Sequence, residues 1–395
     1  MKDEGEKSRG PLSGVLVLDM SRVLAGPFCG AALFNLGATV IKIERPNTGD
    51  DSRAFPPFVE GKPGYFDSIN YGKKSIALNL KDPDDIDVFV KLLQKADVVL
   101  ENFRPGVMER LGFGWEDLHK KYPSLIYACI SGFGHTGPLA SHPAYDLIVQ
   151  CMCGIVSVTG PEEPERPVRP GTSFSDIYGG LMCTLGVNAA LIDREKSGKG
   201  SKVDISMLDC QMAVMESFIA HYSVTKIDPI PLGAAHPTFS PLGLYRAMNG
   251  FIALAAITDS EFSSLCLVLD LTPLIQDSRF ATMHDRVENR VVLDKILQQK
   301  ISQWKSSDLE QALNDAGVAC GPLQNVEELI KSDIAVKRKL MKGFNDPVYQ
   351  KNGVFISGNP MKYDRYEDPD LWPAPPKLDG HRSEILSWLS NGGSL

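Results

Sequence analysis

Short apolar runs alternate with helical patterns over the first two hundred residues, and this alternation constrains the fold more than any other feature. Residues 15–18 and 40–44 are apolar runs of strand length. Between them Pro27 stands near the start of a helical segment and Gly37 at its end. Proline suits a first helical turn and glycine a helix stop, so the segment predicts a helix between two parallel strands.

The same pattern recurs along the chain. Further strands are predicted at residues 75–80, 98–100, 125–130 and 203–207, with helical segments at 82–96, 145–156 and 181–192. Strands that alternate with covering helices form parallel sheets. The sequence therefore predicts an α/β fold whose large domain is a doubly wound, Rossmann-like parallel sheet.

The alternation stops after residue 207, which predicts a second, smaller α+β domain. We predict a large domain over 11–207 completed by 345–395, a linker helix over 208–227, a small domain over 228–322 and a second linker over 323–344. Within these segments we predict a hairpin at 244–256, a turn at 317–322 and a final helix at 383–389.

Composition excludes some partners. The net charge of −8 over 395 residues argues against a nucleic-acid partner, so an anionic ligand needs a local basic patch. No uninterrupted apolar run reaches the roughly 18–20 residues that span a bilayer, so we expect no membrane partner. The eight cysteines lie mostly in apolar runs, which predicts buried, reduced thiols.

Several enzyme classes lack their motifs here. The first strand–helix turn offers Gly26 and Gly30 instead of G-x-G-x-x-G, so a dinucleotide site that uses Glu44 for the ribose is weakly supported. The seven histidines form no i, i+4 pair on a helix, and we predict no metal site. No G-x-S-x-G elbow or P-loop is present, which argues against serine hydrolases and P-loop nucleotide hydrolases.

One carboxylate, Asp176, stands at the start of a predicted buried helix. Free N–H groups and the positive end of the helix dipole favour its ionised form there. Gly179 and Gly180 follow it and let a bulky group approach the backbone. The arrangement suits a carboxylate nucleophile. The alternative is a helix N-cap, since aspartate is a preferred capping residue.

Cations follow several of the predicted strands. Arg45, Lys81 and Arg104 each come at or just after a strand end. Ligands of parallel sheets bind at the carboxyl ends of the strands, and arginine holds phosphates with paired donors. We expect a basic rim that binds an anionic ligand; the alternative is a solvated basic surface, the usual place of a lone Lys or Arg.

Together these segments resemble the class III CoA-transferase family, which includes formyl-CoA transferase, carnitine CoA-transferase and α-methylacyl-CoA racemase. The matching segments are 23–27, 37–45, 74–81, 96–106, 131–134, 143–146 and 176–180, in family order from residue 11 onward. Within the family, the sequence looks most like the mitochondrial succinate–hydroxymethylglutarate (glutarate) CoA-transferases, and we expect it to belong to that branch.

The resemblance implies a catalytic nucleophile, Asp176, and a CoA site. The CoA-binding residues that it implies are Val23, Ala25, Arg45, Leu78, Asn79, Leu80, Lys81, Asn102, Phe103, Arg104, Arg110, Tyr145 and Asp146. A carboxylate nucleophile attacks the acyl-CoA carbonyl, and a mixed anhydride and an aspartyl-CoA thioester follow. We expect the backbone N–H groups near Gly179 and Gly180 to stabilise the oxyanion.

The resemblance also implies the substrates and the assembly. It implies transfer of CoA from succinyl-CoA to a dicarboxylic acid such as glutarate or 3-hydroxy-3-methylglutarate. No metal and no cofactor beyond CoA are expected. The family forms an interlocked homodimer, and this branch implies the mitochondrial matrix, with the cytoplasm as the alternative.

Two departures from the family leave other functions open. The glycine run with which formyl-CoA transferase closes its site is absent from this chain. The racemases use a His-Asp pair where this chain has Tyr145 and Asp146, which favours transfer because histidine is the better base. An acyl-CoA racemase or epimerase and a non-catalytic CoA-ester binding protein are the alternatives. Candidates for binding a substrate's distal carboxylate are Arg22, Arg166, Arg169, His236 and Arg246, each of which is otherwise a plain surface residue.

Overall fold

The computed structural model describes residues 10–161 and 166–391. The strands are β1 Leu16–Asp19, β2 Thr39–Glu44, β3 Phe58–Val59, β4 Lys62–Pro63, β5 Lys74–Ala77, β6 Val98–Glu101, β7 Ile126–Ser131, β8 Lys202–Ser206, β9 Leu242–Ala247, β10 Gly250–Ala255, β11 Ala319–Pro322, β12 Met341–Phe344, β13 Phe355–Ser357 and β14 Leu371–Trp372. The α-helices are α1 Ala25–Asn35, α2 Gly64–Asn70, α3 Pro83–Leu93, α4 Val107–Arg110, α5 Trp115–Lys121, α6 Asp146–Met152, α7 Phe174–Ser197, α8 Met207–Val214, α9 Glu216–Thr225, α10 Asp259–Val268, α11 Met283–Glu288, α12 Arg290–Ile301, α13 Ser306–Asp315, α14 Val326–Lys331, α15 Asp333–Lys337, α16 Pro347–Lys351 and α17 Arg382–Ser390.

A six-stranded parallel sheet forms the centre of the first of two compact units. Its strand order is β5-β2-β1-β6-β7-β8, and each neighbouring pair is parallel. From β1 the chain builds one half of the sheet and then returns to build the other half beside β6. The predicted doubly wound α/β sheet is confirmed. Its topological switch point lies between β1 and β6, which is where such sheets bind ligands.

Helices cover both faces of this sheet. On one face α1 and α7 bury Cys29, Leu33, Cys183 and Val187 against the strands. On the other face the buried core includes side chains of α3, α5 and α17. The C-terminal helix α17 therefore completes the core that the N-terminal half begins. The loops after β1 and β6 are left at one open edge of the sheet.

Among the described residues, the first unit comprises 10–155, 170–220 and 333–391, and the second comprises 156–161, 166–169 and 221–332. The first unit also contains the small β13-β12-β14 sheet. The second unit has an antiparallel β11-β10-β9 sheet whose apolar face packs with helices around its own core. The predicted smaller α+β part is therefore present. The domain and linker boundaries drawn from the sequence stay a prediction.

Three local predictions differ from the structure. The single helix predicted over 208–227 is two helices, α8 and α9, because the backbone leaves the helical conformation at Met215. The turn predicted at 317–322 contains the edge strand β11, which pairs with β10. The segment looked like a turn because it contains glycine and proline, which edge strands also tolerate. The second linker ends in a strand, β12, whose partners β13 and β14 come later in the chain.

Helix α7 is the longest apolar helix of the described residues. By length and composition it could also cross a membrane, which the sequence estimate of the longest apolar run did not anticipate. Its contacts are with protein, since Cys183 and Val187 are fully buried beside α1 and the sheet. A central helix that is buried on one side has the same composition, so length and composition alone are not evidence that α7 crosses a membrane.

Candidate active site

Asp176 lies in the first turn of α7, where it is half-buried. The N-cap of this helix is Ser173, so the interpretation of Asp176 as a cap is wrong. A free N–H group of the helix start, that of Ser175, donates instead to Asp146 Oδ1 at 2.8 Å. Asp146 thus holds the helix end, and the Asp176 carboxyl is left available for chemistry.

The surroundings of Asp176 favour its protonated form. Burial, together with the negative charge of Asp146, raises the pKa of Asp176 to about 7. The expected stabilisation of the ionised form by the helix start is therefore outweighed by desolvation. No hydrogen-bond partner acts on this carboxyl within residues 10–161 and 166–391. A carboxylate whose conjugate acid has a pKa near 7 is more basic than an ordinary one, which suits a nucleophile.

Tyr65 on α2 is a neighbour of the nucleophile that the sequence did not single out. Burial and the negative charges of Asp176 and Asp50 raise the pKa of the Tyr65 hydroxyl, which therefore stays protonated. Its ring packs against Phe55, with centroids 5.8 Å apart. A phenol can donate a hydrogen bond to a carboxylate or an acyl oxygen. No motif marks Tyr65, because only the fold brings α2 near the start of α7.

Gly179 and Gly180 have a packing role in this conformation. A Cβ on Gly180 would lie 2.6 Å from the backbone oxygen of Ala25, so glycine allows α7 to approach α1 closely. Both glycines lie past the first turn of α7, where each N–H bonds to the carbonyl four residues earlier. Those N–H groups are therefore engaged, and the expected oxyanion role of Gly179 and Gly180 does not fit this helix.

A cavity of about 720 Å³ lies at the carboxyl ends of the strands beside the switch point, and we call it the switch-point cavity. Seven of the expected CoA-binding residues line it: Arg45, Leu78, Asn79, Leu80, Lys81, Phe103 and Arg104. They come from the loops after β2, β5 and β6. Segments far apart in sequence thus meet where a parallel sheet binds its ligand.

The other expected CoA-binding residues do not line this cavity. Val23 and Asn102 belong to the loops beside it, and Ala25 is the first residue of α1. Arg110 ends α4, of which Val107 lines the cavity, whereas Tyr145 and Asp146 lie at the start of α6. The amide of Asn102 accepts from the Arg22 backbone N–H at 2.8 Å and donates to the Arg22 backbone oxygen at 2.7 Å. Asn102 therefore fixes the loop after β1 with its side-chain oxygen and one of its two amide N–H groups.

The same loop is held in an unusual conformation at Val23. Its φ of 67° is costly for a β-branched residue. The Val23 N–H donates to Asp50 Oδ1 at 3.1 Å, which helps to hold this conformation. Strain of this kind is found where a loop must present its backbone to a ligand.

Comparison with known proteins agrees with this geometry. The sequence profile of a family described as CoA-transferase family III matches residues 12–382. The chain belongs to CoA-transferase family III. The oxalate transferase of Acetobacter aceti, an acetyl-CoA:oxalate CoA-transferase, is 42% identical over 94% of each chain. The succinyl-CoA:glutarate CoA-transferase of Homo sapiens is 36% identical over 95% of this chain and 85% of its own.

A solved structure gives the same result for the fold. A CaiB/BaiF family protein from Brucella suis superposes with a TM-score of 0.84 and is 34% identical, over 96% of this chain and all of that one. The expected class of enzyme is therefore confirmed: the protein is a class III CoA-transferase.

The cations of the transferase's cavity fall into two groups. Arg45 pairs with Asp51, and Arg22 also binds Asp51, at 2.9 Å, while its guanidinium lies 5.2 Å above the Phe103 ring. In the described part of the chain, by contrast, no ion pair is recorded for the exposed Lys81 and Arg104. These two cations are the most available to an anionic ligand.

Two lysines near this region do not join the rim. Lys73 is fully buried and binds Asp19 at 2.8 Å, and Lys74 pairs with Glu384 of α17. Both therefore hold the fold together.

The floor of the cavity is a buried network of ion pairs. Lys42 Nζ lies 3.0 Å from Asp50 Oδ2, and both side chains are fully buried. Glu44 accepts two hydrogen bonds from Arg53, each 2.8 Å long. This explains why Glu44 is buried at a strand end without a ribose to bind. Paired charges of this kind fix the loops above them.

Only one candidate for the distal carboxylate, Arg22, lines the cavity of the transferase. The other four, Arg166, Arg169, His236 and Arg246, belong to the second unit. There the His236 ring stacks on Phe239 with centroids 4.7 Å apart, and the Arg246 guanidinium lies 5.9 Å from the Phe251 ring centre.

Proposed function

We propose that this class III CoA-transferase moves CoA from succinyl-CoA to a dicarboxylic acid such as glutarate or 3-hydroxy-3-methylglutarate. The observation that carries the chemistry is the Asp176 carboxyl, which is half-buried, free of hydrogen-bond partners among the described residues, and has its pKa raised to about 7. The choice of acids is supported by the human relative, a succinyl-CoA:glutarate CoA-transferase, which is 36% identical.

The reaction begins with the ionised carboxylate. One oxygen of Asp176 attacks the thioester carbonyl of succinyl-CoA, and the C–S bond breaks to give an aspartyl–succinyl anhydride and CoA thiolate. The thiolate attacks the aspartyl carbonyl, which releases succinate and leaves an aspartyl-CoA thioester. The acceptor carboxylate then attacks that thioester, and the same two steps run in reverse. Every step exchanges one carboxylate for one thiolate, so no metal, redox group or added cofactor is required.

The proposal places the CoA phosphates at the switch-point cavity. Lys81 and Arg104 are exposed on its rim, and Arg45 extends the positive charge along the loop after β2. Arginine offers paired donors that match phosphate oxygens, and lysine a compact point charge. The apolar lining from Leu78, Leu80 and Phe103 suits the adenine ring.

A second acceptor, oxalate, is also supported. The Acetobacter aceti relative, an acetyl-CoA:oxalate CoA-transferase, is 42% identical, closer than the human glutarate enzyme. Oxalate and glutarate differ by three methylenes, so the two acids place the distal carboxylate at different distances from Asp176. The acceptor panel below includes both acids for this reason.

Racemase activity has less support from the site. Asp146 holds the Ser175 N–H with one oxygen and the Gln150 amide, at 2.7 Å, with the other. The side chain of Tyr145 is 79% exposed. Asp146 is buried but both of its oxygens are engaged, and Tyr145 is exposed, whereas racemisation needs a base on each side of the α-carbon.

We also propose a homodimer in the mitochondrial matrix. The neighbouring helices α6 and α7 of the first unit expose large apolar side chains: Leu147, Ile148, Met152, Leu181, Leu185 and Ile192. Exposed apolar side chains gathered on two neighbouring helices are typical of a protein interface. The interlocked arrangement and the compartment follow from the family resemblance. Light scattering on the wild type and on the Leu185→Glu variant tests the interface; a monomeric wild type argues against it.

The function is tested by a transfer assay read by mass. Succinyl-CoA and acetyl-CoA are each incubated with glutarate, 3-hydroxy-3-methylglutarate or oxalate, and the CoA esters formed are identified. The proposal expects glutaryl-CoA or its hydroxymethyl analogue from succinyl-CoA, and no product with Asp176→Asn. Oxalyl-CoA as the main product would show that the acceptor is oxalate and not glutarate or its analogue. Loss of α-deuterium from a branched acyl-CoA without transfer of CoA would show that the enzyme is an epimerase and not a transferase.

A further inference from the structure

Glu101 is a buried carboxylate that joins two loops at the edge of the sheet. It is the last residue of β6 and is 1% exposed. One oxygen, Oε2, accepts from the Phe103 backbone N–H at 2.6 Å. The other, Oε1, accepts from the Tyr127 hydroxyl at 3.1 Å and lies 3.6 Å from His135 Nε2. Glu101 therefore ties the wall of the switch-point cavity, at Phe103, to the loop after β7.

His135 is held in one orientation by β8. Its backbone N–H donates to both carboxylate oxygens of Asp204, at 3.0 and 3.2 Å, and Lys202 Nζ lies 3.2 Å from its Nδ1. An ammonium group only donates, so Nδ1 carries the lone pair and the ring proton is on Nε2. That proton faces Glu101 from a distance too long for a normal hydrogen bond. The buried Nε2 thus has no partner of its own.

A metal ion is a poor fit for this group of side chains. Atoms of Glu101, Cys129 and His135 do lie within 4.8 Å of one another. A metal would need the Nε2 lone pair, but the contact with Lys202 assigns a proton to that nitrogen. It would also need the Cys129 thiolate, whereas burial and the charges of Glu101 and Asp204 raise the pKa of this thiol. His135 Nε2 and the Cys129 thiol therefore both keep their protons, and the group is better described as hydrogen-bonding side chains than as metal ligands.

We propose that Glu101 is a positioning residue for CoA binding. Its ionised carboxylate holds the Phe103 backbone, and with it the Phe103–Arg104 wall of the switch-point cavity, in the conformation that binds CoA. The inference rests on the proposed placement of CoA in that cavity. A charge-assisted hydrogen bond to a backbone N–H is roughly twice as strong as a neutral one. Protonation of Glu101 therefore loosens the wall, although the side chain never touches CoA.

The cluster makes this effect depend on pH near neutrality. Burial raises the pKa of Glu101 to about 7, although the hydrogen bonds from Phe103 and Tyr127 lower it in part. The charged and titratable groups that face it are Tyr127, Cys129, His135, Lys202, Asp204 and Glu109. Burial and the positive charge of Lys202 lower the pKa of His135, which stays neutral over the same range. CoA binding should therefore strengthen as pH rises through 7.

The test measures binding of free CoA by calorimetry between pH 6 and 8.5. Asp176→Asn serves as the parent protein, because it removes turnover and the titration of the nucleophile. Glu101→Gln is added to it. The ratio of the two dissociation constants cancels the titration of CoA's own phosphates. We expect a ratio near one at pH 6, where Glu101 is protonated in the parent, and about five- to tenfold weaker binding for Glu101→Gln at pH 8.5.

Two further variants keep the test specific. Glu109→Gln removes an exposed carboxylate of α4 that acts on Glu101 only through its charge. The dissociation constant of this variant for CoA should stay within about twofold of the parent's at pH 8.5. Tyr127→Phe removes one donor to the ionised carboxylate. It should move the midpoint of the pH dependence upward without abolishing it. A ratio for Glu101→Gln that does not change with pH overturns the proposal.

One more variant distinguishes an error about the role of Glu101 from an error about where CoA binds. Arg104→Ala is measured in the same parent protein. If Arg104→Ala weakens CoA binding while Glu101→Gln follows the parent at every pH, only the role of Glu101 is wrong. If Arg104→Ala also leaves CoA binding unchanged, CoA lies elsewhere and the proposed site itself is wrong.

Discussion

Two aspartates of the same unit, Asp50 and Asp176, show opposite uses of a buried carboxylate. Burial alone would raise the pKa of Asp50, but the Lys42 ammonium and hydrogen bonds from Ser52 lower it to about 2. Asp176 has no such partners among the described residues, and burial beside Asp146 raises its pKa to about 7. The first carboxylate is locked in its ionised form; the second lies near the midpoint of its titration.

The surroundings of Asp50 suit a binding site, and those of Asp176 suit a reacting group. Around Asp50 every charge is matched, so the loops that line the cavity are fixed before a ligand arrives. Around Asp176 the backbone alone sets the position, through the start of α7 and its contact with Asp146. A carboxylate that is already paired would be a poor nucleophile, because the attack would have to break that pair. The transferase therefore keeps its reactive group apart from its ion pairs.

The largest expected effect is on Asp176 itself. Asp176→Asn should lower transfer by at least about 10³-fold, because the amide cannot form the anhydride. Its stability should not suffer: the ionised carboxylate has a folded pKa above its ordinary value, so it costs stability as pH rises from about 4 to 7. Intact-protein mass after incubation with succinyl-CoA checks the first point, since only the wild type should carry a CoA adduct. A variant that keeps a tenth of the activity would contradict the assignment.

The opposite result is expected at the paired carboxylate. Lys42→Met leaves Asp50 buried and unpaired, which should cost about 3–5 kcal/mol of stability. The folded pKa of Asp50 is below its usual 3.8, so the pair stabilises the fold above that pH, and its contribution is lost as pH falls toward 2. Thermal melting at pH 7 checks the loss, with Asp176→Asn as the matched variant. Equal melting temperatures for Lys42→Met and Asp176→Asn would contradict the proposal that only the Asp50 carboxylate depends on a buried ion pair.

The backbone that holds Asp176 can be disturbed without touching a charge. Gly180→Ala places a methyl group 2.6 Å from the Ala25 oxygen, which should push α7 from α1 at a cost of about 1–3 kcal/mol. Gly179→Ala is the control, because its methyl group meets Met207 at 3.4 Å and Ile130 at 3.7 Å, both ordinary van der Waals contacts. Alanine also favours the helix, so this control should be neutral or slightly stabilising. Thermal melting and turnover of the pair check the prediction; equal losses would show that packing at Gly180 is not special.

The sequence predicted the fold well where local signals agree with the final structure. Strand-length apolar runs with glycine and proline at the helix ends placed the six parallel strands within a few residues. The strands β12 and β14 were missed because they are short and pair with each other across a long loop. The end of the linker helix at Met215 carries no proline or glycine, so no local signal marked it.

The site was predicted less completely, for a physical reason. The chemistry-bearing residues at strand ends, such as Lys81 and Arg104, follow from parallel-sheet geometry. The partners that decide their charge state do not. Nothing local in the sequence says that Asn102 binds the Arg22 backbone, or that Asp146 rather than Asp176 completes the start of α7. Those contacts join segments dozens of residues apart.

The smallest expected effect concerns the charge that distinguishes Asp176 from Asp50. Asp146 adds negative charge beside the nucleophile, but burial contributes more to the raised pKa. Asp146→Asn keeps an oxygen for the Ser175 N–H. The Gln150 amide can rotate so that its oxygen, which has no partner among the described residues, accepts from the new amide, and only its long 3.3 Å hydrogen bond to the Thr172 oxygen is lost. The helix start should therefore survive.

Because only the ionised nucleophile attacks, kcat/KM should rise with pH through about 7 in the wild type. Without the neighbouring charge, ionisation becomes easier and the midpoint should move down by less than about one pH unit. The variant should then be relatively faster at pH 6 and nearly equal at pH 8.5, which a pH series of kcat/KM measures. An unmoved midpoint would mean that burial alone sets the pKa of Asp176. The contrast with Asp50 would then rest on the absence of a cation and not on the presence of a second carboxylate.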